Sequence, residues 1–349
     1  MRFVTPSIPL FLMMTRLLAD PVTWGKLPPL PDRHGFAGAC AGVSGNTLLV
    51  AGGANFPNAP LAEGGVKVWH DKVFALDKPD GEWRVAGKLP GPLGYGVSVD
   101  ADGGVLCIGG SDSEKHHAGC FLLTLKDGVL ETKDYPALPV PLANMAGVRS
   151  GDVVYVAGGT HAAADSVASK ECYALDLKNT AAGWTTLDPI PGPGRILPVA
   201  AAQGGCFFII SGASLAAGPD GKPVRTYLKD AWRYQPGKGW SAIAEIPRAV
   251  VAAPTPAPSF GANGFLIAGG DDGSLAGIKP GMPHPGFPRG VQAYDSTADA
   301  WKTLPDIPAE VAPPVTTPVV SWSGKHVIAS GEVRPGIRSP QMLILEVRP

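Results

Sequence analysis

The segment SGEVRPGIR, residues 330–338, sets a carboxylate, Glu332, and a guanidinium, Arg338, six residues apart behind the apolar run HVIA. A carboxylate held at a strand end can take and return a proton, which is general acid–base chemistry. A guanidinium beside it can bind a ligand carboxylate through two parallel hydrogen bonds, a geometry lysine lacks. If Glu332 leaves one strand and Arg338 opens the returning one, the two can face one cavity. Arg195 in GPGRILP, Asn144 in PLANMAG, Asn55 in GGANFP and Arg334 are candidate contacts for the same ligand. Arg195 stands in a Gly-rich, apolar setting with no acid nearby in sequence. A ligand role and a pairing with a neighbouring loop are both open for it.

Other charged residues cluster in long irregular segments, among them Lys67, His70, His116, His161, Asp271 and Arg289. Most are expected to keep those segments solvated. Metal and redox chemistry find little support. The five cysteines, Cys40, Cys107, Cys120, Cys172 and Cys206, show no CxxC spacing, and most sit in apolar runs such as VLCIGG. They read as buried free thiols acting as small hydrophobes. A radical copper oxidase would need His and Tyr ligands and a Cys able to crosslink to a Tyr, and no convincing set is present. A formal net charge of −1 gives no basic field to collect nucleic acid or an anionic membrane. No segment has the roughly twenty apolar residues of a membrane helix.

The scaffold that positions these residues is periodic. An apolar run ending in Gly-Gly occurs as LLVAGG, VLCIGG, VVYVAGG and GFLIAGG, and in weaker form as FFIISGA and HVIASGE. The six copies recur every 50 to 60 residues or so, near the period of kelch repeats. Between them Trp24, Trp83, Trp184, Trp240 and Trp301 each precede a Leu-Pro or Ile-Pro. Each repeat offers about four short strands, and the 46 glycines and 37 prolines suit the turns between them. A four-stranded sheet cannot bury both faces alone, so such sheets stack radially around a channel. The expectation is an all-β, six-bladed kelch-like propeller, with each Trp filling the space between blades. The first strand, around Trp24, lacks a Gly-pair strand before it, and the last, MLILEV, lacks a Trp strand after it. The N-terminal strand is therefore expected to complete the C-terminal blade and close the ring. The loops after the Gly pairs then share one face, where function is expected. Residues 20–349 read as one domain.

Residues 1–19 form an extension that resembles a poor secretory signal, with Arg2 before the apolar stretch Ile8 to Met14. Pro9 and Arg16 count against a signal, and a start at Met13 or Met14 would remove it. The odd cysteine count favours a reducing compartment, so a cytoplasmic location is expected; the alternative is periplasmic or secreted.

The segment 330–338 resembles the GE-x-x-PG-x-R segment of the N-acetylneuraminate mutarotases, also called N-acetylneuraminate epimerases. FAGACAGVSGNTLLVAGGANFP, from Phe36 to Pro57, and NMAGVRSGDVVYVAGG, from Asn144, are similar to two other regions of that family. The order of the segments differs from better-known members and resembles a cyclically permuted branch, which a ring without a natural beginning tolerates. The resemblance implies interconversion of the anomers of free sialic acid, a small sugar acid. It implies an acid–base role for Glu332, a partner role for Arg338, and a match of Arg195 to a further family arginine. It implies no metal or organic cofactor. One departure is plain: the family's GRAYG reads LGYG here, with Leu93 or Gly94 where the arginine would stand. The rival from another class is a non-catalytic propeller that binds a protein or glycan across its loop face. The two differ in whether Glu332 and Arg338 converge in a recess or lie on a broad open face.

Overall fold

The computed structural model describes residues 20–219, 222–278 and 282–348; the signal-like segment lies outside them. Six four-stranded antiparallel sheets form the blades of a β-propeller. The first blade runs outward from the channel as Cys40–Ser44, Thr47–Ala51, Lys72–Leu76 and Arg84–Lys88. The last contains Val319–Trp322, Lys325–Ala329 and Met342–Val347, and its outermost strand is Val22–Leu27 from the other end of the chain. Val22 pairs with Val347 and Leu27 with Met342, which closes the ring.

Strand alternation explains how the blades adhere. Successive side chains point to opposite faces, so both faces of an inner strand are buried against neighbours. In Cys206–Ile210, Phe207 stacks on Tyr155 of the third blade with centroids 5.2 Å apart. Phe208 meets Phe265 of the fifth blade, also at 5.2 Å. Fully burying such a side chain contributes about 1.5–3 kcal/mol. The repeated tryptophans add a polar bolt. The indole N–H groups of Trp83, Trp184, Trp240 and Trp301 each donate to a backbone carbonyl of the preceding blade, on Pro28, Pro136, Asp188 and Ala244, at 2.8 Å. All five cysteines are buried and unbridged.

The Gly pairs mark where neighbouring blades crowd. A Cβ on Gly52 would lie 2.3 Å from the Leu93 carbonyl oxygen of the second blade. The two Ser-Gly copies solve the same junction differently. The Ser211 and Ser330 hydroxyls accept from the N–H groups of Val250 and Phe36 in the following blade, and donate to the Leu228 and Ser339 carbonyls.

One feature of the channel follows no sequence motif. Gly38, Tyr95, Asn144, Leu197, Ala252 and Thr316, one per blade, all have φ between 52° and 64°. Each N–H donates to the carbonyl of the equivalent residue in the preceding blade, and Gly38 donates to Thr316, so six bonds of 2.7–2.9 Å form a closed ring. The left-handed region costs a non-glycine residue about 1–2 kcal/mol. The ring bonds and the packed surroundings offset that cost at five positions. The residue before each ring member pairs with the residue after a Gly pair, as Ala37 with Ala54 and Val315 with Glu332. The residues after each ring member line the channel interior. The ring therefore divides the mouth, formed by the loops after the Gly pairs, from the channel below.

Candidate functional site

The residues that directly follow the Gly pairs are Ala54, Ser111, Thr160, Ala213, Asp271 and Glu332. They surround the mouth, and two of them are carboxylates. Asp271 is occupied: it accepts from the Tyr227 hydroxyl at 3.0 Å and from the Gly273 N–H at 3.0 Å. Burial, with Asp271 alongside, pushes Tyr227 up to about 12, so it stays a neutral donor.

Glu332 is held differently. Glu332–Arg334 and Ile337–Arg338 form a hairpin whose turn is Pro335-Gly336, with Gly336 at φ 78°. Proline at the first central position and a left-handed glycine at the second suit a type II turn. A bulge between Glu332 and Arg334 leaves Glu332 directly opposite Arg338. One Glu332 carboxylate oxygen accepts from the Gly336 N–H at 2.8 Å, and the other lies 3.3 Å from Arg338 Nη2. The Arg338 side chain is 4% exposed and that of Glu332 19%, so the pair is recessed and reached through the carboxylate. The guanidinium lies over the Phe56 ring at 4.6 Å. Its Nε and Nη1 groups are buried with no hydrogen-bond partner among the described residues. A buried donor left unmade costs about 1–3 kcal/mol, more on a charged group, so an acceptor supplied by a ligand would be strongly favoured there.

The other sequence candidates separate. Arg195 is fully buried, and its guanidinium is gripped by Asp230 at 2.9 and 2.6 Å and by the carbonyls of Ser211 and Pro193. Its donors are engaged in an ion pair with Asp230 and in bonds to backbone carbonyls. Asn55 is 1% exposed; its amide donates to the Gly35 carbonyl at 3.0 Å and its oxygen faces His70 Nε2 at 2.8 Å. It pins the loop before the first blade. Asn144 is a member of the hydrogen-bonded ring and lines the channel. Arg334 is exposed near the turn of the 332–338 hairpin. Of the candidates, Glu332 and Arg338 are brought together as a pair.

Two residues that the sequence did not single out also belong to the mouth. Trp69 and Tyr95 meet edge to face at 6.2 Å, and Lys67 lies 5.1 and 5.0 Å from their rings. Trp69 Nε1 and the Tyr95 hydroxyl are buried without hydrogen-bond partners among the described residues. In the second blade, where Ser111 bridges both Gly94 and His116, burial lowers the pKa of His116, whose Nε2 meets the Thr160 hydroxyl at 3.2 Å.

The larger space lies elsewhere. Beneath the ring the channel offers about 60 Å³, room for a few waters but not a sugar. Toward its far end it opens to about 430 Å³, lined by Arg149, Ser259, Ser321 and His326 among others. Neither space is lined by Glu332 or Arg338. In the far chamber Arg149 donates to the Gly151 and Asp100 carbonyls, and His326 Nδ1 meets the Ser321 hydroxyl. Each buried polar group left unpaired calls for an explanation, and at the mouth these are Trp69, Tyr95, His116 and Arg338.

Comparison with known proteins agrees with the fold. The solved structure of YjhT superposes with a TM-score of 0.68 over 91% of this chain and 96% of that one, at 15% identity, a likeness of fold alone. Among curated relatives, the N-acetylneuraminate epimerase of Brucella suis is 46% identical over 116 residues, 29% of each chain. That of Salmonella enteritidis is 41% identical over 130 residues, 33% of each. The matches thus span about a third or less of those relatives' length. A family model described as N-acetylneuraminate epimerase matches residues 13–131 and 135–275, ahead of the segment that carries Glu332 and Arg338. Those two matches cover well over half of the sequence, and the chain belongs to the N-acetylneuraminate epimerase family.

Proposed function

We propose that the protein interconverts the anomers of a free sialic acid, N-acetylneuraminate, with Glu332 as the acid–base residue and Arg338 as the carboxylate binder. The observation that carries this reading is the Glu332–Arg338 pair, a recessed carboxylate beside a guanidinium with two buried, unpartnered donors. In such a sugar the carboxylate sits on the anomeric carbon. Arg338 binds that carboxylate and so holds the anomeric hydroxyl beside Glu332.

Glu332 takes the proton of the anomeric hydroxyl while the bond from the anomeric carbon to the ring oxygen breaks. The ring oxygen takes a proton from water, and the anomeric carbon becomes a ketone. After rotation the same hydroxyl re-adds to the other face of the carbonyl. Glu332 then returns its proton to the new anomeric oxygen, and water recovers the other. Every proton removed is replaced, and no electrons are transferred.

The test is NMR exchange spectroscopy on N-acetylneuraminate at anomeric equilibrium. Wild-type protein is expected to accelerate exchange, and Glu332→Ala to return it to the buffer rate per folded molecule, with a lowered unfolding midpoint because the buried Arg338 guanidinium loses its carboxylate. Exchange at the buffer rate with both proteins sinks the catalytic reading in favour of a binding propeller.

A further inference from the structure

The hairpin that follows the first Gly pair carries two cations on one face. Its strands are Ala54–Asn55 and Val68–Trp69, with Ala54 opposite Trp69 and Asn55 opposite Val68. Residues two apart on a strand share a face, and directly opposed residues share it too. Continuing that alternation puts Phe56 and Lys67 on the face of Ala54 and Trp69. Asn55 lies on the other face, bonded to His70 and Gly35. On the shared face Phe56 carries the Arg338 guanidinium and Trp69 carries the Lys67 ammonium, the latter shared with Tyr95.

Lys67 has no carboxylate within ion-pair distance among the described residues, unlike Lys88, which meets Asp71 at 3.0 Å. Its position is fixed by two aromatic faces, which attract a cation without neutralising it. The local backbone is shaped to allow this. A Cβ on Gly38 would lie 2.8 Å from the Tyr95 ring, and one on Gly94 would lie 3.3 Å from Trp69. Tyr95 belongs to the hydrogen-bonded ring, so its side chain is rooted at the floor of the mouth. The peptide groups of that ring are already paired with one another. Recognition in the mouth therefore falls to side chains, and Trp69 Nε1, the Tyr95 hydroxyl and Lys67 supply three donors there.

We infer that Lys67, Trp69 and Tyr95 form a second recognition subsite beside Arg338, for an acceptor-bearing substituent with an apolar rim on a carboxylated sugar. An acylamino group has that chemistry: its carbonyl accepts from the indole and the ammonium, and its alkyl end packs on an aromatic face. A bare hydroxyl would leave the aromatic faces unused. The inference deepens the reading proposed above and rests on it for the identity of the sugar. It makes Lys67 and Trp69 specificity determinants, while Arg338 serves the carboxylate common to all such ligands.

The experiment compares N-acetylneuraminate with the analogue in which a hydroxyl replaces the acetamido group, by calorimetric binding and by anomer exchange. Wild-type protein is expected to prefer the acylamino sugar by about tenfold or more. Trp69→Phe keeps a platform for Lys67 but lacks the N–H, and it is expected to erase most of that preference. Lys67→Met is expected to raise KM for the acylamino sugar about tenfold with kcat within twofold. Arg338→Met is expected to weaken both sugars equally and leave the preference intact. A preference unchanged in both Lys67→Met and Trp69→Phe overturns the subsite, as does failure of wild-type protein to bind either sugar. Selective binding lost in those variants, without accelerated exchange in wild type, supports the subsite while sinking the mutarotase reading. The unfolding midpoints of the variants, expected to match wild type, separate loss of recognition from loss of fold.

Discussion

Arg195 and Arg338 are both buried arginines that meet a carboxylate, one in the fourth blade and one in the sixth. Arg195 makes two bonds to Asp230 at 2.9 and 2.6 Å and further bonds to backbone carbonyls. The chain even leaves room for the pair: a Cβ on Gly192 would lie 2.4 Å from the Asp230 carboxylate and 2.7 Å from the Arg195 guanidinium. Arg338 meets Glu332 through one nitrogen at 3.3 Å and leaves Nε and Nη1 unpartnered. A guanidinium has five donors in a fixed fork. Where the protein engages them, the arginine holds structure together. Where it buries them unmade beside a reachable carboxylate, the fold holds free energy that a ligand can recover.

The comparison breaks most sharply at Asp230. Asp230→Asn removes the charge that compensates a fully buried guanidinium, and breaking such a pair costs about 3–5 kcal/mol. The midpoint of urea unfolding should fall accordingly. Anomer exchange per folded molecule should change little, because Arg195 donors are not offered to the mouth. A variant that keeps its midpoint would place Arg195 among ligand-binding groups after all.

Arg338→Met should behave in the opposite way. It removes two unsatisfied buried donors and leaves Glu332 partly exposed to water, so the unfolding midpoint should hold or rise. Stability gained on removing a site residue is the expected trade-off where a site is strained for function. KM for a carboxylated sugar should rise about tenfold or more, which is about 1.4 kcal/mol of binding. A large loss of stability with KM unchanged would make this pair structural, like the other.

How much of this contrast the sequence carries depends on what kind of signal each part leaves. Blade number and ring closure are legible because Gly-Gly runs and runs of Trp before a Leu-Pro or Ile-Pro repeat, and because each terminus lacks the strand that the other has. The Glu332–Arg338 pair is legible because both partners lie in one short hairpin, within six residues. Arg195 is ambiguous because its acid, Asp230, stands 35 residues away and meets it only after the fourth blade has folded. The hydrogen-bonded ring leaves no sequence trace at all. Its members are Gly, Tyr, Asn, Leu, Ala and Thr, since a backbone conformation and a backbone bond are what repeat. Phe56 and Trp69 belong to no repeated motif, and only the 54–69 hairpin puts them on one face beneath two cations.

The response of the fold to mild acid gives the smallest test. What titrates near neutrality is histidine. Burial holds the pKa of His326 and His116 below the usual value near 6.5, and burial does the same for His70 against the opposing pull of Asp32. Below that value the unfolded chain takes up protons that the folded chain refuses. Stability is therefore fully present above about pH 6.5 and declines as pH falls toward the lowered folded values, with a slope set by the difference in bound protons. Unfolding midpoints between pH 7.5 and 5.5 should drop steadily, and His326→Gln, at the chamber far from the mouth, should flatten part of that drop. Because His326 does not touch the mouth, the same variant should leave the pH dependence of anomer exchange unchanged. A shift in that profile would tie the far chamber to the site across the ring of backbone bonds, and the ring could then no longer be read as a partition.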